Sequence, residues 1–220
     1  MLFMEKKTVS GIMLTLLLVS AINLAAISFV ARADGSEGGS VDWWLMFRHD
    51  ENHTGYSTEL APTGSDTTRK WNFTTNGAVY SSSAVANDTV FVGSNDSNLY
   101  AFDLNGVKKW NVSLGGPVYS SPAVDGDIVF VGSLNGSVYA VNATNGSIKW
   151  NCPTKDSVYS SPVIASGVVF VGSDDYNVYA LNETNGKVIW SFPTGAPVRS
   201  SPAIANDRIF FGVNDGRVTL

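Results

Sequence analysis

The amino-acid sequence predicts an all-β fold, namely a β-propeller built from four-stranded antiparallel blades. The 220-residue chain repeats one pattern of about forty residues four times, and the fourth copy is incomplete. Repeats of about 40–45 residues are typical of propeller blades. The strands present are enough for about four blades, so we expect a partial ring. A tryptophan marks each period, at intervals of 39, 40 and 40 residues: Trp71, Trp110, Trp150 and Trp190.

The second copy shows the expected order of strands within a blade. Residues 118–124 are predicted to form the first strand, Ile128–Ser133 the second and Ser137–Asn142 the third. The second strand is a nearly unbroken run of β-branched and aromatic residues, as expected of a strand that is covered on both faces. Asn-Gly pairs at Asn135 and Asn145 favour tight hairpins after the second and third strands. The last hairpin leads into the outer strand, which carries the tryptophan.

The predicted first strand carries a proline in three copies, directly after a pair of serines. Proline cannot donate a hydrogen bond to a sheet and is tolerated only at an edge or bulge, so this strand should face the central channel. The serine hydroxyls are compatible with binding a ligand or with merely fitting the crowded space around the propeller axis. We favour the second, structural role, because positions shared by all copies usually serve the repeat itself. The prolines are Pro122, Pro162 and Pro202, and the serine pairs lie at 81/82, 120/121, 160/161 and 200/201.

Two copies contain the block Ala-x-Asn-x-x-Asn-Gly-x-x-x-Trp, at residues 140–150 and 180–190. This block resembles the tryptophan-docking motif of the pyrroloquinoline-quinone-type (PQQ-like) β-propeller repeat family, in which the tryptophan of one blade packs against its neighbour. The first copy is one residue shorter, so its hairpin should be tighter. The resemblance covers about residues 43–220. The residues assigned to docking are Ala101, Gly106, Trp110, Ala140, Asn142, Gly146, Trp150, Ala180, Asn182, Gly186 and Trp190.

The PQQ-like family includes quinone-dependent dehydrogenases, but the sequence argues against that activity in this chain. As the resemblance implies, those enzymes hold the quinone beneath two adjacent cysteines and a metal bound by carboxylates, within an eight-bladed ring. This chain has one cysteine, Cys152, where the other copies have Phe73, Val112 and Phe192. We therefore expect Cys152 to be a small apolar core residue rather than a reactive thiol.

Other catalytic or metal-binding arrangements have little support in the sequence. The two histidines, His49 and His53, have the spacing of two metal ligands on a helix, but Asn52 and Gly55 disfavour a helix there. The acidic pair Asp174-Asp175 lies at a predicted hairpin, and Asp and Asn favour such turns without a metal. We expect no catalytic residues, no cofactor, no metal and no enzymatic activity.

The N-terminal residues 1–33 are interpreted as a signal peptide. Lys6 and Lys7 precede an apolar stretch at residues 12–30, and Ala31-Arg32-Ala33 offers a small-residue cleavage site. An uncleaved membrane anchor is the alternative, because the stretch nearly spans a bilayer. Residues 34–66 are expected to be a polar linker and lead-in, followed by the propeller repeats at 67–220. Either interpretation predicts export to the cell surface or the extracellular space.

The charge of the chain disfavours nucleic acid as a partner. The formal net charge is −5, and removal of residues 1–33 would make it −7, since 11 basic and 18 acidic residues remain. The sequence also has no phosphate-binding loop and no basic patch. Asn-x-Ser/Thr sequons permit glycosylation, although turns rich in these residues also create sequons by chance. The nine sequons begin at Asn52, Asn72, Asn87, Asn95, Asn111, Asn135, Asn142, Asn145 and Asn182.

The two ends of the repeat region are expected to combine. Residues 68–75 are predicted to form an outer strand without a blade of its own, and residues 198–220 supply three strands that lack an outer one. Together they would form one hybrid blade. We expect a truncated chain first, an assembly of two halves second and a true four-bladed ring third. An open arc would expose strand edges, and such edges recruit other chains, including further copies of the protein.

These features predict a non-catalytic, exported binding or scaffolding module for other proteins or for cell-surface polymers. Two alternatives remain: a fragment of a quinone-dependent dehydrogenase whose cofactor-binding part is missing, and an envelope assembly scaffold. Arg199 replaces the tyrosine that the other copies have at the same position, and it is the residue selected as a candidate partner contact.

Overall fold

The computed structural model describes residues 45–47, 70–216 and 218–219, and these residues confirm the predicted all-β fold. They form fifteen strands, and none of them belongs to a helix that could cross a membrane. The predicted signal sequence and both histidines lie outside the described residues. The strands are β1 Ala84–Ala86, β2 Thr89–Gly93, β3 Asn98–Asp103, β4 Lys108–Ser113, β5 Ala123–Asp125, β6 Ile128–Ser133, β7 Ser137–Asn142, β8 Ile148–Pro153, β9 Val163–Ala165, β10 Val168–Gly172, β11 Asn177–Asn182, β12 Val188–Pro193, β13 Ala203–Ala205, β14 Arg208–Gly212 and β15 Val218–Thr219.

The strands form four antiparallel sheets, each of which follows the chain order as a meander. Blades 1, 2 and 3 have four strands each, in the orders β1-β2-β3-β4, β5-β6-β7-β8 and β9-β10-β11-β12. Blade 4 has three strands among the described residues, in the order β13-β14-β15. The first strands of successive blades lie next to one another, so they form the inner wall of the arc. The predicted four-stranded antiparallel blades and the partial ring are confirmed.

The innermost strands are shorter than the sequence predicts. Strand β5 begins at Ala123, and Pro122 lies directly before it rather than inside it, as Pro162 and Pro202 do in their blades. The prediction of a strand from residue 118 was wrong, because the backbone before the proline bonds to neighbouring blades instead of its own sheet. The amide of Val118 donates to the carbonyl of Ser94 in blade 1 (3.0 Å).

The hairpins are tight, as predicted, but only one residue of the Asn135-Gly136 pair has a positive φ. Ser133 pairs with Ser137, which leaves a three-residue loop in which Gly136 has a φ of +83°. The shorter hairpin of copy one is also confirmed. The Gly106 amide donates to the carbonyl three residues earlier, at Asp103, whereas the corresponding Gly146 amide reaches back four residues.

The predicted outer strand at residues 68–75 and the hybrid blade were wrong for the described part of the chain. Residues 70–75 belong to no sheet. The Trp71 segment instead packs on blade 1, where the Trp71 indole donates to the carbonyl of Leu104 (3.0 Å) and Phe73 lies against Phe102 (4.9 Å between ring centroids). Trp71 contacts the following blade as the other docked tryptophans do, but among the described residues no strand of blade 4 pairs with this segment.

The paired serines connect the blades along the inner wall. The Ser121 amide donates to the Ser161 hydroxyl of the next blade (2.9 Å), and the same bond joins the Ser82 amide to Ser121 (2.9 Å) and the Ser161 amide to Ser201 (3.2 Å). We call this series the serine ladder. The first serine of each pair accepts instead from a glycine amide of its own blade, as Ser120 does from Gly132 (3.0 Å). These bonds agree with the axial role preferred for the serines.

The hydrophobic core lies between neighbouring blades rather than inside a single sheet. The cluster between blades 1 and 2 joins Ala84, Ala86 and Phe91 to Val129 and Val131. Within this cluster the blades approach so closely that a Cβ on Gly93 would lie 2.4 Å from Val118. Blades 2 and 3 therefore each bury their two faces against two different neighbours, as in other repeat proteins.

The lead-in residues 45–47 pack along the inner edge of blade 2. The Leu45 carbonyl accepts a hydrogen bond from the amide of Val124 in β5 (2.7 Å). The Met46 side chain is buried in the cluster that contains Ala123 and Phe130. A segment interpreted from the sequence as lead-in thus covers the free edge of an innermost strand.

The serine ladder generates a stability prediction. Replacement Ser161→Ala removes the acceptor of a buried amide at Ser121, and an unsatisfied buried donor costs about 1–3 kcal/mol. We expect the free energy of unfolding to fall by that amount in urea denaturation. The control is Ser113→Ala, on the exposed outer strand β4, which should change stability by less than about 0.5 kcal/mol. Equal effects of the two substitutions would refute a structural role of the ladder.

Candidate functional site

The structure places each of three tryptophans on the hairpin of the blade that follows it. The Trp110 ring covers Gly146, where an added Cβ would lie 2.8 Å from the ring, and its indole donates to the Ala143 carbonyl (2.9 Å). Trp150 covers Gly186 and donates to the Glu183 carbonyl (2.8 Å). Trp71 covers Gly106 in the same way. The φ values are +84° for Gly106, +75° for Gly146 and +70° for Gly186, a left-handed conformation that favours glycine.

The remaining residues assigned to docking shape this hairpin. The alanines pair with the tryptophan of their own blade and are fully buried: Ala101 with Trp110, Ala140 with Trp150 and Ala180 with Trp190. The side-chain oxygens of Asn142 and Asn182 accept the amides two and three residues later. Trp190 differs from the other three tryptophans, because no hairpin among the described residues covers it and 39% of it is exposed.

A row of aromatic rings follows the rim of the arc at the position just before the serine pairs. Tyr80 stacks on Tyr119, with ring centroids 4.5 Å apart and an angle of 6° between the planes. Tyr119 contacts Tyr159 edge to face (5.6 Å), and the Arg199 guanidinium lies over Tyr159 (4.6 Å from its centroid). We call these four residues the rim row. Tyr80, at one end, is 62% exposed.

Arg199 stands at the other end of the rim row and is oriented by a carboxylate. Its Nε donates to Oδ1 of Asp174 (3.0 Å) and its Nη2 to Oδ2 (2.8 Å), while Asp174 itself is buried. The hydrogen bonds and negative charge of Asp174 raise the pKa of Arg199, so its charge is held over Tyr159. The side chain remains 53% exposed.

The sequence pointed to Arg199 but not to the three tyrosines of the rim row, although all four occupy the same position of the repeat. The three tyrosines precede the serine pairs in every complete copy, but only the tertiary structure shows that they touch. Partial burial, followed by the proximity of Tyr80 and Tyr159, raises the pKa of Tyr119. A tyrosine hydroxyl is neutral around pH 7 and can donate a hydrogen bond, and the raised pKa of Tyr119 favours this neutral form further.

Hairpins between the second and third strands brace the segments that carry the row. Oδ2 of Asp175 accepts from the Tyr179 hydroxyl (2.6 Å) and from the Lys155 amide (3.0 Å). Asp96 does the same with Tyr100 (2.8 Å) and the Asn76 amide (2.9 Å). Burial opposes ionisation of both carboxyls, but the hydrogen bonds they accept lower the pKa of each. Burial and the bond to Asp96 raise the pKa of Tyr100 to about 12.

The carboxylates of Asp96 and Asp175 thus accept hydrogen bonds that shape their hairpins and hold the neighbouring segments. In the portions of the chain that the structure describes, no group of three His, Cys, Asp or Glu side chains is arranged to hold a metal ion. Cys152 is buried in strand β8 opposite Val138, and burial raises the pKa of its thiol. This is the apolar core position expected for Cys152.

The fold and sequence are similar to known propellers. A family model described as outer membrane protein assembly factor BamB matches residues 105–220. No curated protein sequence is significantly similar to the chain. The crystal structure of BamB from Moraxella catarrhalis is 17% identical with a TM-score of 0.62, over 67% of this chain and 51% of that one. The chain therefore spans about half the length of that structure.

Two enzymes share the same fold at similarly low sequence identity. A europium-containing methanol dehydrogenase is 21% identical with a TM-score of 0.61, over 69% of this chain and 32% of its own. The quinohemoprotein alcohol dehydrogenase ADHIIG from Pseudomonas putida HK5 is 16% identical with a TM-score of 0.65, over 78% of this chain and 34% of its own. At these identities the structural matches show the fold alone.

The docking geometry predicts that two left-handed glycines tolerate alanine differently. Gly126 has a φ of +52° and open space around it, so Gly126→Ala should cost only about 1–2 kcal/mol of backbone strain. Gly146→Ala carries the same strain and also pushes its Cβ against Trp110, which should add about 1–3 kcal/mol. Chemical denaturation of both variants measures the difference. Equal losses of stability would show that the Trp110 contact does not constrain the hairpin.

Proposed function

We propose that this chain, which belongs to the family of the outer membrane protein assembly factor BamB, is a scaffold that binds other proteins. The observation that carries this proposal is the rim row of Tyr80, Tyr119, Tyr159 and Arg199. Four successive blades each contribute one residue to a continuous, partly exposed surface at the same rim.

The chemistry of the rim row suits a protein partner. Tyrosine and arginine are enriched in the residues that dominate the binding energy of protein interfaces. A tyrosine offers a flat apolar face and a hydroxyl with few rotatable bonds, so it loses little conformational entropy on binding. Contacts within the row and with Asp174 already restrict these side chains. Such preorganisation lowers the entropic cost of association.

The charge of the chain supports the same class of partner. A formal net charge of −5 disfavours nucleic acid, which binds through clusters of lysine and arginine on the protein. Arg199 contributes the one positive charge of the row, and it is balanced by Asp174. We propose protein as the partner in preference to a cell-surface polymer, since the row combines stacked rings with a single oriented cation.

A role in assembly at the cell envelope is the more specific form of this proposal. It is favoured by the match of residues 105–220 to the BamB family model. BamB is described as an outer membrane protein assembly factor, and we propose that this chain likewise holds other polypeptides. The rim row gives this chain a surface with which to do so.

The described residues do not fit a pyrroloquinoline quinone cofactor. The chain has a single cysteine, so it cannot supply two adjacent ones, and Cys152 is buried in an outer strand. The carboxylates at the hairpins accept hydrogen bonds from tyrosine hydroxyls and backbone amides. A fragment of a quinone-dependent dehydrogenase would need its cofactor ligands elsewhere. We therefore propose a binding role without catalysis.

A photocrosslinking experiment tests the proposed binding surface. We expect p-benzoylphenylalanine at position 119, in the source organism, to crosslink to a discrete protein. The same residue at Ile148, which is exposed on outer strand β8, serves as the matched control and should give no such product. Tyr80→Ala should lower the yield at position 119 by at least about tenfold, since losing an aromatic residue that dominates an interface costs about 2 kcal/mol or more. Equal crosslinking from positions 119 and 148 would refute the surface.

We also propose that residues 1–33 direct export and that the mature protein acts at the cell surface. A basic start, an apolar stretch and a small-residue cleavage site support this assignment. Six of the sequon asparagines are exposed in the structure, so glycans could be accommodated where the host attaches them: Asn72, Asn87, Asn95, Asn111, Asn135 and Asn145.

Fractionation of cells that express the whole chain tests export. We expect the protein in the envelope or the medium, with an intact mass that corresponds either to cleavage after Ala33 or to the uncleaved anchor. Glycans would appear as additional mass that a glycosidase removes. Recovery of the full-length chain only from the cytosol would overturn the proposal.

A further inference from the structure

We propose that Tyr176 of blade 3 is a further partner contact, which extends the protein-binding surface beyond the rim row. Tyr176 lies in the hairpin that joins β10 to β11, two residues after Asp174. The proposal rests on the function proposed above, because it concerns the same protein partner. Its support is a tyrosine that the fold strains, exposes and does not need.

The backbone of Tyr176 has a conformation that residues with a side chain rarely adopt. Its φ is +69°, in the left-handed region, and a bulky residue is strained there. The same position of the repeat has a positive φ in the other blades too, where the residues are Ser97, Gly136 and Gly216. The turn itself therefore requires this conformation, and glycine meets the requirement without strain.

The structural contact of this turn is made by the backbone alone. The Tyr176 carbonyl accepts hydrogen bonds from the amide (2.9 Å) and the hydroxyl (3.0 Å) of Thr194. In blade 2, the Gly136 carbonyl accepts the same two bonds from Thr154, at 2.7 Å and 2.9 Å. A glycine thus holds the equivalent hairpin equally well, whereas the Tyr176 side chain is 51% exposed. The fold gives no reason for a tyrosine at this position.

Two further departures from the repeat lie beside Tyr176. Arg199 replaces the tyrosine of the other copies, and its Nη2 donates to Oδ2 of Asp174 (2.8 Å). The residues at the position of Asp174 in the other copies are Asn95, Leu134 and Asn214. Positions that all copies share usually serve the repeat itself. Three departures at one corner of blade 3, two of them bonded to each other, indicate a role outside the repeat.

The hairpin of Tyr176 lies on the same face of the arc as the rim row. The Asp174 amide donates to the carbonyl of Ser157 (2.9 Å), two residues before Tyr159, and the Asp174 carboxylate binds Arg199. The hairpin therefore contacts both residues at this end of the row or the segments that carry them. An exposed tyrosine next to an exposed, oriented arginine combines two residue types that dominate the binding energy of protein interfaces.

Replacement of Tyr176 by glycine tests the proposal in the full chain. Tyr176→Gly should lower the yield of the protein crosslink from p-benzoylphenylalanine at position 119 by at least about tenfold. The midpoint of urea unfolding should stay the same or rise, because the strained backbone is relieved. Ser166→Gly is the matched control, since Ser166 is exposed, has a φ of +51° and lies at the opposite end of β10. It should leave the crosslink unchanged.

Crosslinking from position 176 itself identifies what Tyr176 contacts. We expect p-benzoylphenylalanine at position 176, in the source organism, to capture the same protein as position 119, as judged by mass spectrometry, and position 166 to capture none. A crosslink only to residues of the chain itself would contradict the proposal. A product from position 119 that Tyr176→Gly leaves unchanged overturns this proposal alone. Absence of any product from position 119 in the otherwise unsubstituted chain overturns the proposed function and this proposal with it.

Discussion

The contact between each docked tryptophan and the left-handed glycine of the next blade is the constraint on which the rest of the structure depends. The ring lies directly on the glycine backbone, at a distance that leaves no room for a Cβ, and the indole N–H satisfies a carbonyl of the same hairpin. An apolar contact and a directed hydrogen bond together set both the separation and the rotation of two blades. The contact joins blade 1 to blade 2 through Trp110 and blade 2 to blade 3 through Trp150, and Trp71 makes it on blade 1 from the preceding segment.

The packing of each blade on the next brings residues into contact both at the inner wall and at the rim. At the inner wall, the spacing brings the Ser121 amide onto Ser161 and lets Gly132 approach Val158. At the rim, the same spacing places Tyr80, Tyr119 and Tyr159 within contact of one another. The rim row, which is assembled from single residues of successive blades, therefore depends on how each blade packs on the next.

The acidic hairpins illustrate how a feature that could suggest chemistry serves architecture. Asp96 and Asp175 each bind a tyrosine hydroxyl from the third strand and an amide from the segment that leads to the rim. Their low pKa values follow from these bonds, and ionised carboxylates are the stronger acceptors. Asp174 extends the same principle by orienting Arg199 over Tyr159. Polar groups near the rim thus position the aromatic row instead of forming a reactive centre.

The sequence by itself determined the repeat, the blade architecture and the second and third strands, because these depend on local patterns. Strands Ile128–Ser133 and Ser137–Asn142 have the predicted bounds, since apolar runs separated by Asn-Gly turns can be recognised within a few residues. Only the tertiary structure decided where the first strands begin, because the amides of Val118 and Ser121 bond to other blades. It also decided that Trp71 packs on blade 1, that Leu45 covers an inner edge and that four residues about forty positions apart form one row. Such contacts depend on how one repeat is placed against the next, and a single repeat read alone does not contain that information.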